Sequence, residues 1–293
     1  MKDFLIFIAK ILLVILLSAY ALDFLYTSVY SKSSVRNKIE NVINTKNKHF
    51  DVIFMGSSRA NNHFMPKLWA DIGLKTFNYG IGGLELQENA ILLELMIKNN
   101  YKIKNVVLQV DLNISGNEFS LGNQAKFMPL INRNLIISDY YKDKLSDYLT
   151  IRYVPFYRYI EYDSQIGFRE FFFALFKKPS HNFDNFGFTP LNGVGDKMNM
   201  NLTQINPKRN IAYERIRLLC KNHNINLISI STPVCENTVG MNYFINIKKI
   251  YPEVLNFENL VVEDKYFSSC NHLNYKGALL FNSKIIKILK LKK

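Results

Sequence analysis

Apolar residues in this chain come in short runs separated by amphipathic stretches. Asp51–Met55 is an apolar run that ends in Gly56 and two serines. A short run stopped by a turn signal predicts a strand buried on both faces, as in a parallel sheet. Lys75–Asn78, Asn105–Asp111, Asn226–Ser231 and Val254–Phe257 have the same character. Between them, Leu86–Lys98 and Ile211–Asn222 place apolar residues at helical spacing, and Tyr275–Leu291 does so near the C-terminus. Strands alternating with helices predict an α/β fold with a doubly wound, mainly parallel five-stranded sheet. Such sheets hold their sites at the C-terminal ends of the strands.

Two regions depart from this alternation. From Phe4 to Tyr26 only Lys10, Ser18 and Asp23 are neither apolar nor aromatic. That exceeds the roughly 20 residues needed to cross a bilayer. Lys10 can snorkel to headgroups, and Tyr20, Phe24 and Tyr26 resemble an interfacial belt. The expected organisation is a signal anchor over 1–30, a polar stalk over 31–48 and a sheet domain over 49–293. Ala19-Tyr20-Ala21 also has the form of a signal-peptidase site, so a cleaved leader is the rival reading. Both readings put the body of the chain outside the cytoplasm, although Lys32, Arg36 and Lys38 follow the span. The second departure is an aromatic-rich, helical insertion at about 117–205, expected to pack over the sheet edge. Its Tyr153, Phe156, Tyr157, Tyr159 and Tyr162 suit core packing, with a sugar-stacking platform as the sharper alternative.

Composition narrows the class. The 293 residues include 22 Phe and 17 Tyr, too many for disorder. Lys and Arg number 37 against 24 Asp and Glu, a formal net charge of +13. A nucleic-acid binder would gather that charge on one face or carry a recognition motif. Here the basic residues are spread along the chain, so the charge favours at most an acidic polymer or an anionic membrane. The basic C-terminal segment is amphipathic, and its apolar face is expected to pack on the sheet. Three cysteines are too few for a disulfide scaffold. His63, His181 and His223 are scattered without metal-ligand spacing, so no metal site is expected.

Three features fall at expected strand ends. Gly56-Ser57-Ser58-Arg59 follows the first strand and puts a serine at a strand-to-helix turn. There a hydroxyl is exposed near backbone N–H groups that stabilise an oxyanion, though a serine at a helix start is more often only a cap. Asn78-Tyr79-Gly80-Ile81-Gly82-Gly83 follows the second strand, with glycines that permit a tight turn. Ser269-Cys270-Asn271-His272 precedes the last helix. His272 at the sheet's C-terminal edge can reach Ser58 and take its proton as general base. Cys235 and Cys270 also lie just past strand ends. Free thiols are the first expectation, and a bridge across adjacent strand ends is the alternative, which would clamp the His272 loop.

Taken in order, the strings DVIFMGSSRANNHFMP, NYGIGG, GFTPL, ISTP and NHLNYKGA resemble the SGNH/GDSL hydrolase family. The likeness is to its membrane-anchored, extracytoplasmic bacterial branch, related to proteins that modify cell-surface polysaccharides, and runs from about Asp51 onward. It implies an SGNH-type, flavodoxin-like fold and an esterase or acyltransferase acting on acyl esters of a surface glycan, acetyl foremost, without a cofactor. It makes Ser58 the nucleophile and His272 the base, with Gly83 and Asn113 as oxyanion donors. The acid of the family's last block falls at Ser269, so the orienting group becomes a backbone carbonyl, Ser269 itself or a carboxylate of the same loop, Asp264 or Glu263. Loss of that carboxylate from a triad can cost on the order of 10⁴ in turnover. A catalytically degenerate glycan-binding or scaffold component is therefore the alternative.

Overall fold

Each of the five expected strands is present in the computed structural model, which describes residues 1–116 and 119–292. They are β1 (His49–Met55), β2 (Thr76–Asn78), β3 (Lys102–Gln109), β4 (Asn226–Ser231) and β5 (Leu255–Asn256). Every neighbouring pair is parallel, in the order β2-β1-β3-β4-β5. Ile53 of β1 stands between Phe77 of β2 and Val106 of β3. β1 is buried from Phe50 to Met55, which is why its sequence runs apolar without alternation. β3 begins at Lys102, earlier than its apolar run, because exposed Lys102 and Lys104 alternate with buried neighbours at its start. It stops at Gln109, leaving Asp111 in the loop beyond.

The chain divides into two compact units. One comprises Met1–Asn44 with Leu121–Ser180, the other Thr45–Ser120 with His181–Lys293. The expected start of the insertion, Asn117, lies outside the described residues, and its remainder splits at Ser180 between the units. In the first unit α1 (Lys2–Tyr30) is long and apolar enough to cross a membrane. Its buried residues are confined to Tyr26, Thr27 and Tyr30. Instead of a free polar stalk, α2 (Lys38–Asn44) is buried from Lys38 to Val42. The polar side chains there are spent inside the unit. Ser33 Oγ donates to Glu40 (2.7 Å), Asn41 Nδ2 to the Ser34 carbonyl and Asn44 Nδ2 to the Tyr30 carbonyl, both at 2.8 Å. Tyr159 is 1% exposed with its ring 5.0 Å from that of Tyr26, as core packing expects, whereas Phe156 is half-buried and Tyr153 is 65% exposed.

In the sheet unit, α3 (Ser58–His63) opens directly after β1. The expected α4 (Leu86–Lys98) and α5 (Ile211–Asn222) pack on each other. α6 (Asn242–Ile250) precedes β5, and α7 (Tyr275–Leu289) packs against α3. Phe281 and Ile285 of α7 join Val52, Phe54, Phe64 and Trp69 in one apolar core. The apolar face of the basic terminal helix is thus used for packing. A short antiparallel hairpin, β6 (Phe267–Ser269) and β7 (His272–Leu273), leads into α7.

Candidate functional site

Gly56 follows β1 with φ of 138°, and a Cβ there would sit 2.7 Å from Gln109 Oε1. Only glycine fits such a bend. Gln109 Oε1 instead accepts from both the N–H and the hydroxyl of Ser57, each at 2.8 Å. The turn after β2 is tied to α3 by Asn78, whose Nδ2 donates to the carbonyls of Ala60 (2.8 Å) and Phe64 (2.9 Å). A Cβ on Gly80 would meet the Asn61 nitrogen at 2.6 Å, so the turn lies flush on α3. One at Gly82 would lie 4.0 Å from Ser58 Cβ. The exposed Gly83 follows, with φ of 71°. The capping reading of the serines does not describe them, because α3 has no side-chain cap: Ser57 serves Gln109 and Ser58 serves the histidine.

His272 stands on β7 with Nε2 2.8 Å from Ser58 Oγ. Its Nδ1 lies 2.8 Å from Asn271 Oδ1 and 3.0 Å from Ser269 Oγ. Ser269 Oγ also donates to Asn271 Oδ1 at 3.0 Å. An amide oxygen only accepts, so Nδ1 carries the proton and the bare Nε2 faces the serine hydroxyl. Ser269, one of the candidate orienting groups, lies within hydrogen-bond reach of Nδ1. Asn271 is the partner that sequence reasoning missed, although it stands next to the histidine. Asp264 and Glu263 do not hydrogen-bond His272; Asp264 accepts from Asn237 at 3.2 Å instead.

Cys235 and Cys270 form a disulfide with a Cα separation of 4.7 Å, so the bridge prevails over free thiols. The Cys235 N–H also donates to the Cys270 carbonyl at 2.9 Å. Both residues are part of the apolar core, which anchors the loop holding His272. Cys220 is the buried free thiol, pushed up to about 12 by burial.

A buried ion pair completes the surroundings. Arg59, directly after Ser58, is 2% exposed and pairs with the fully buried Asp111 at 3.2 Å. Its Nη2 donates to the carbonyls of Thr232 (2.6 Å) and Pro233 (2.9 Å). Asp111 Oδ2 accepts the Thr232 N–H at 2.8 Å, which joins the ends of β3 and β4. The His272 pKa is lowered, first by burial and then by Arg59, with Asp111 opposing. His63 is fully buried and held well below the usual histidine range, again by burial first. Its Nε2 accepts the Leu273 N–H at 3.0 Å, bracing β7 from below. Asn113 Nδ2 donates to Glu85 Oε2 at 2.6 Å and lies 3.5 Å from the Leu84 carbonyl. Among the described residues no cluster of three or more metal-ligating side chains occurs.

No family model and no curated protein matches this chain. Among solved structures, one from Streptococcus pneumonia, described as a candidate platelet activating factor, aligns over 97% of this chain and 98% of its own. The identity is 12% and the TM-score 0.38.

Proposed function

We propose that this chain is a serine hydrolase of SGNH type, an esterase or acyltransferase for acyl esters of a cell-surface glycan. The observation that carries the reading is the 2.8 Å approach of His272 Nε2 to Ser58 Oγ at the end of β1. Ser58 attacks the acyl carbonyl while Nε2 takes its proton, and the same nitrogen later returns it to the leaving alcohol. The Ser58 and Gly83 N–H groups hold the oxyanion. Asn113 gives one amide N–H to Glu85, and the second is the donor left for that role. Asn271 and Ser269 fix the imidazole tautomer but add no full negative charge. Acetyl is the acyl group the family resemblance favours, and the net charge of +13 suits an acidic polymer as acceptor. No cofactor enters the scheme. α1 serves as a single-pass anchor with the sheet unit outside the cytoplasm, and the disulfide fits that oxidising side.

The neutral partners of His272 Nδ1 favour one second reading, a non-catalytic glycan-binding or scaffold component. A serine-reactive fluorophosphonate separates the two. The wild type and Ser57→Ala are expected to label and Ser58→Ala to remain unlabelled. Labelling of Ser58→Ala refutes the nucleophile, and an unlabelled wild type selects the non-catalytic reading.

A further inference from the structure

The first unit carries an apolar surface that its own packing does not use. The helix Phe168–Leu175 buries Phe171 and Ala174. The adjoining side is apolar as well: Phe168 is 68% exposed, Phe172 36%, Leu175 44% and the following Phe176 74%. These positions recur at i, i+4, i+7 and i+8, one continuous face. The rings of Phe168 and Phe172 are 4.8 Å apart and those of Phe172 and Phe176 6.2 Å, an exposed aromatic ladder. The helix also carries Arg169 and Glu170, so it is amphipathic and leaves part of a wide apolar face exposed. Exposed apolar patches of this kind mark membrane or protein contacts.

The sequel of α1 says which. Phe168, Phe172 and Ile160 line a groove of about 510 Å³ together with Leu22 and Leu25 of α1. From Lys2 to Leu22 the helix spans about 31 Å at 1.5 Å per residue, close to the ~30 Å hydrocarbon thickness. Once α1 crosses a bilayer, Leu22 and Leu25 lie at its edge, and the residues sharing their groove lie at the same depth. Asp23 keeps that register, since its carboxylate pairs with Arg158 (2.8 Å) and accepts the Phe156 N–H (2.8 Å). Arg169, Lys177 and Lys178 on the same segment are exposed and cationic, as on helices that lie in an anionic headgroup layer. The exposed face itself is Phe and Leu, without the hydrogen-bonding groups a sugar would require.

We infer that Ile160 and the Phe168–Phe176 ladder form a foot that sinks into the lipid interface beside α1, so that the first unit lies on the bilayer. This stands apart from the hydrolase reading, since it uses no residue of the Ser58 site. The test is the full-length chain in vesicles containing anionic lipid, with Phe168→Trp and Phe172→Trp made singly. The natural Trp69 is fully buried and supplies a background that wild-type protein subtracts. Both new tryptophans are expected to lose roughly half or more of their emission to lipids brominated in the acyl chain and little to aqueous iodide. Ile211→Trp, at a position 79% exposed in the sheet unit, is the water-facing control and should show the reverse. Iodide quenching without bromolipid quenching at Phe168→Trp and Phe172→Trp overturns the inference. Quenching by neither also overturns it, because a second copy or another protein would then cover the ladder. The substitutions are aromatic for aromatic at exposed sites, and two independent positions guard against a local folding defect.

Discussion

Each compact unit buries an arginine against an aspartate, and the two pairs do different things. In the sheet unit Arg59 and Asp111 are 2% and 0% exposed and knit the ends of β1, β3 and β4 beneath the candidate catalytic pair. In the first unit Arg158 is equally buried, but its partner Asp23 is 19% exposed and sits on α1. Arg158 Nη2 also donates to Thr27 at 2.8 Å, and its guanidinium lies over the Tyr159 ring at 4.9 Å. The same two residue types therefore serve once as a sealed electrostatic floor and once as a latch on an apolar helix. Solvent access makes the difference. A dehydrated pair cannot lose one member without stranding the other charge, whereas a pair at the rim can recruit water.

The largest expected effect follows directly. Asp111→Ala should cost about 3–5 kcal/mol, because it leaves Arg59 buried and uncompensated. Asp23→Ala should cost about 1–2 kcal/mol. Denaturant titration of the two variants in detergent measures both, and equal losses would break the comparison. Next is the disulfide, which belongs to the sheet unit alone. Reduction, or Cys235→Ser with Cys270→Ser, should lower stability by about 2–4 kcal/mol by freeing a loop spanning 35 residues. A melting temperature indifferent to reductant would show that the hairpin holds His272 without it.

A smaller effect tests the neutral orienting group. Asn271→Ala should lower kcat on a chromogenic acetyl ester about tenfold, about 1.4 kcal/mol, with KM unchanged. Ser269→Asp restores a carboxylate beside Nδ1 and should move the acid limb of the pH–rate profile upward. In the wild type that limb should lie below the usual histidine pKa, since burial and Arg59 both disfavour the imidazolium. The base is then neutral and the rate flat from about pH 7 upward. The smallest effect is on stability. His63 and His272 have folded pKa values below their unfolded ones, so their contribution is complete above about pH 6.5. It declines as pH falls toward the folded values, by at most about 1.4 kcal/mol per pH unit and group. Stability that rises on acidification from pH 7 to 5 would contradict this sign.

Much of the sheet unit was legible because its signals are local. A strand buried on both faces shows as an apolar run whatever lies around it, so Asp51–Met55 and Asn226–Ser231 located β1 and β4 closely. The parallel arrangement put Ser58 at the C-terminal end of β1, and His272 reaches it from the separate antiparallel hairpin β6–β7. The first unit was harder to read. Its Lys- and Asn-rich segment looks like a solvated stalk, yet the hydrogen bonds of Ser33, Asn41 and Asn44 stay inside the fold. Composition reports polarity but not where a hydrogen bond ends.

From its sequence alone this chain was bound to make alternating strands and helices, an apolar N-terminal helix, a serine at a strand end and a histidine ahead of the last helix. Periodicity encodes which face of each element is buried, and that is a property of neighbours in sequence. Tertiary structure decided the rest: that Cys235 and Cys270 bond, that Asn271 and not Asp264 holds His272, that Arg59 meets Asp111, and that Asn113 turns to Glu85. Ser58 and His272 are 214 residues apart. Their atoms meet within hydrogen-bond reach only because the packing of the whole sheet unit sets distances to a fraction of an ångström, which no local pattern specifies.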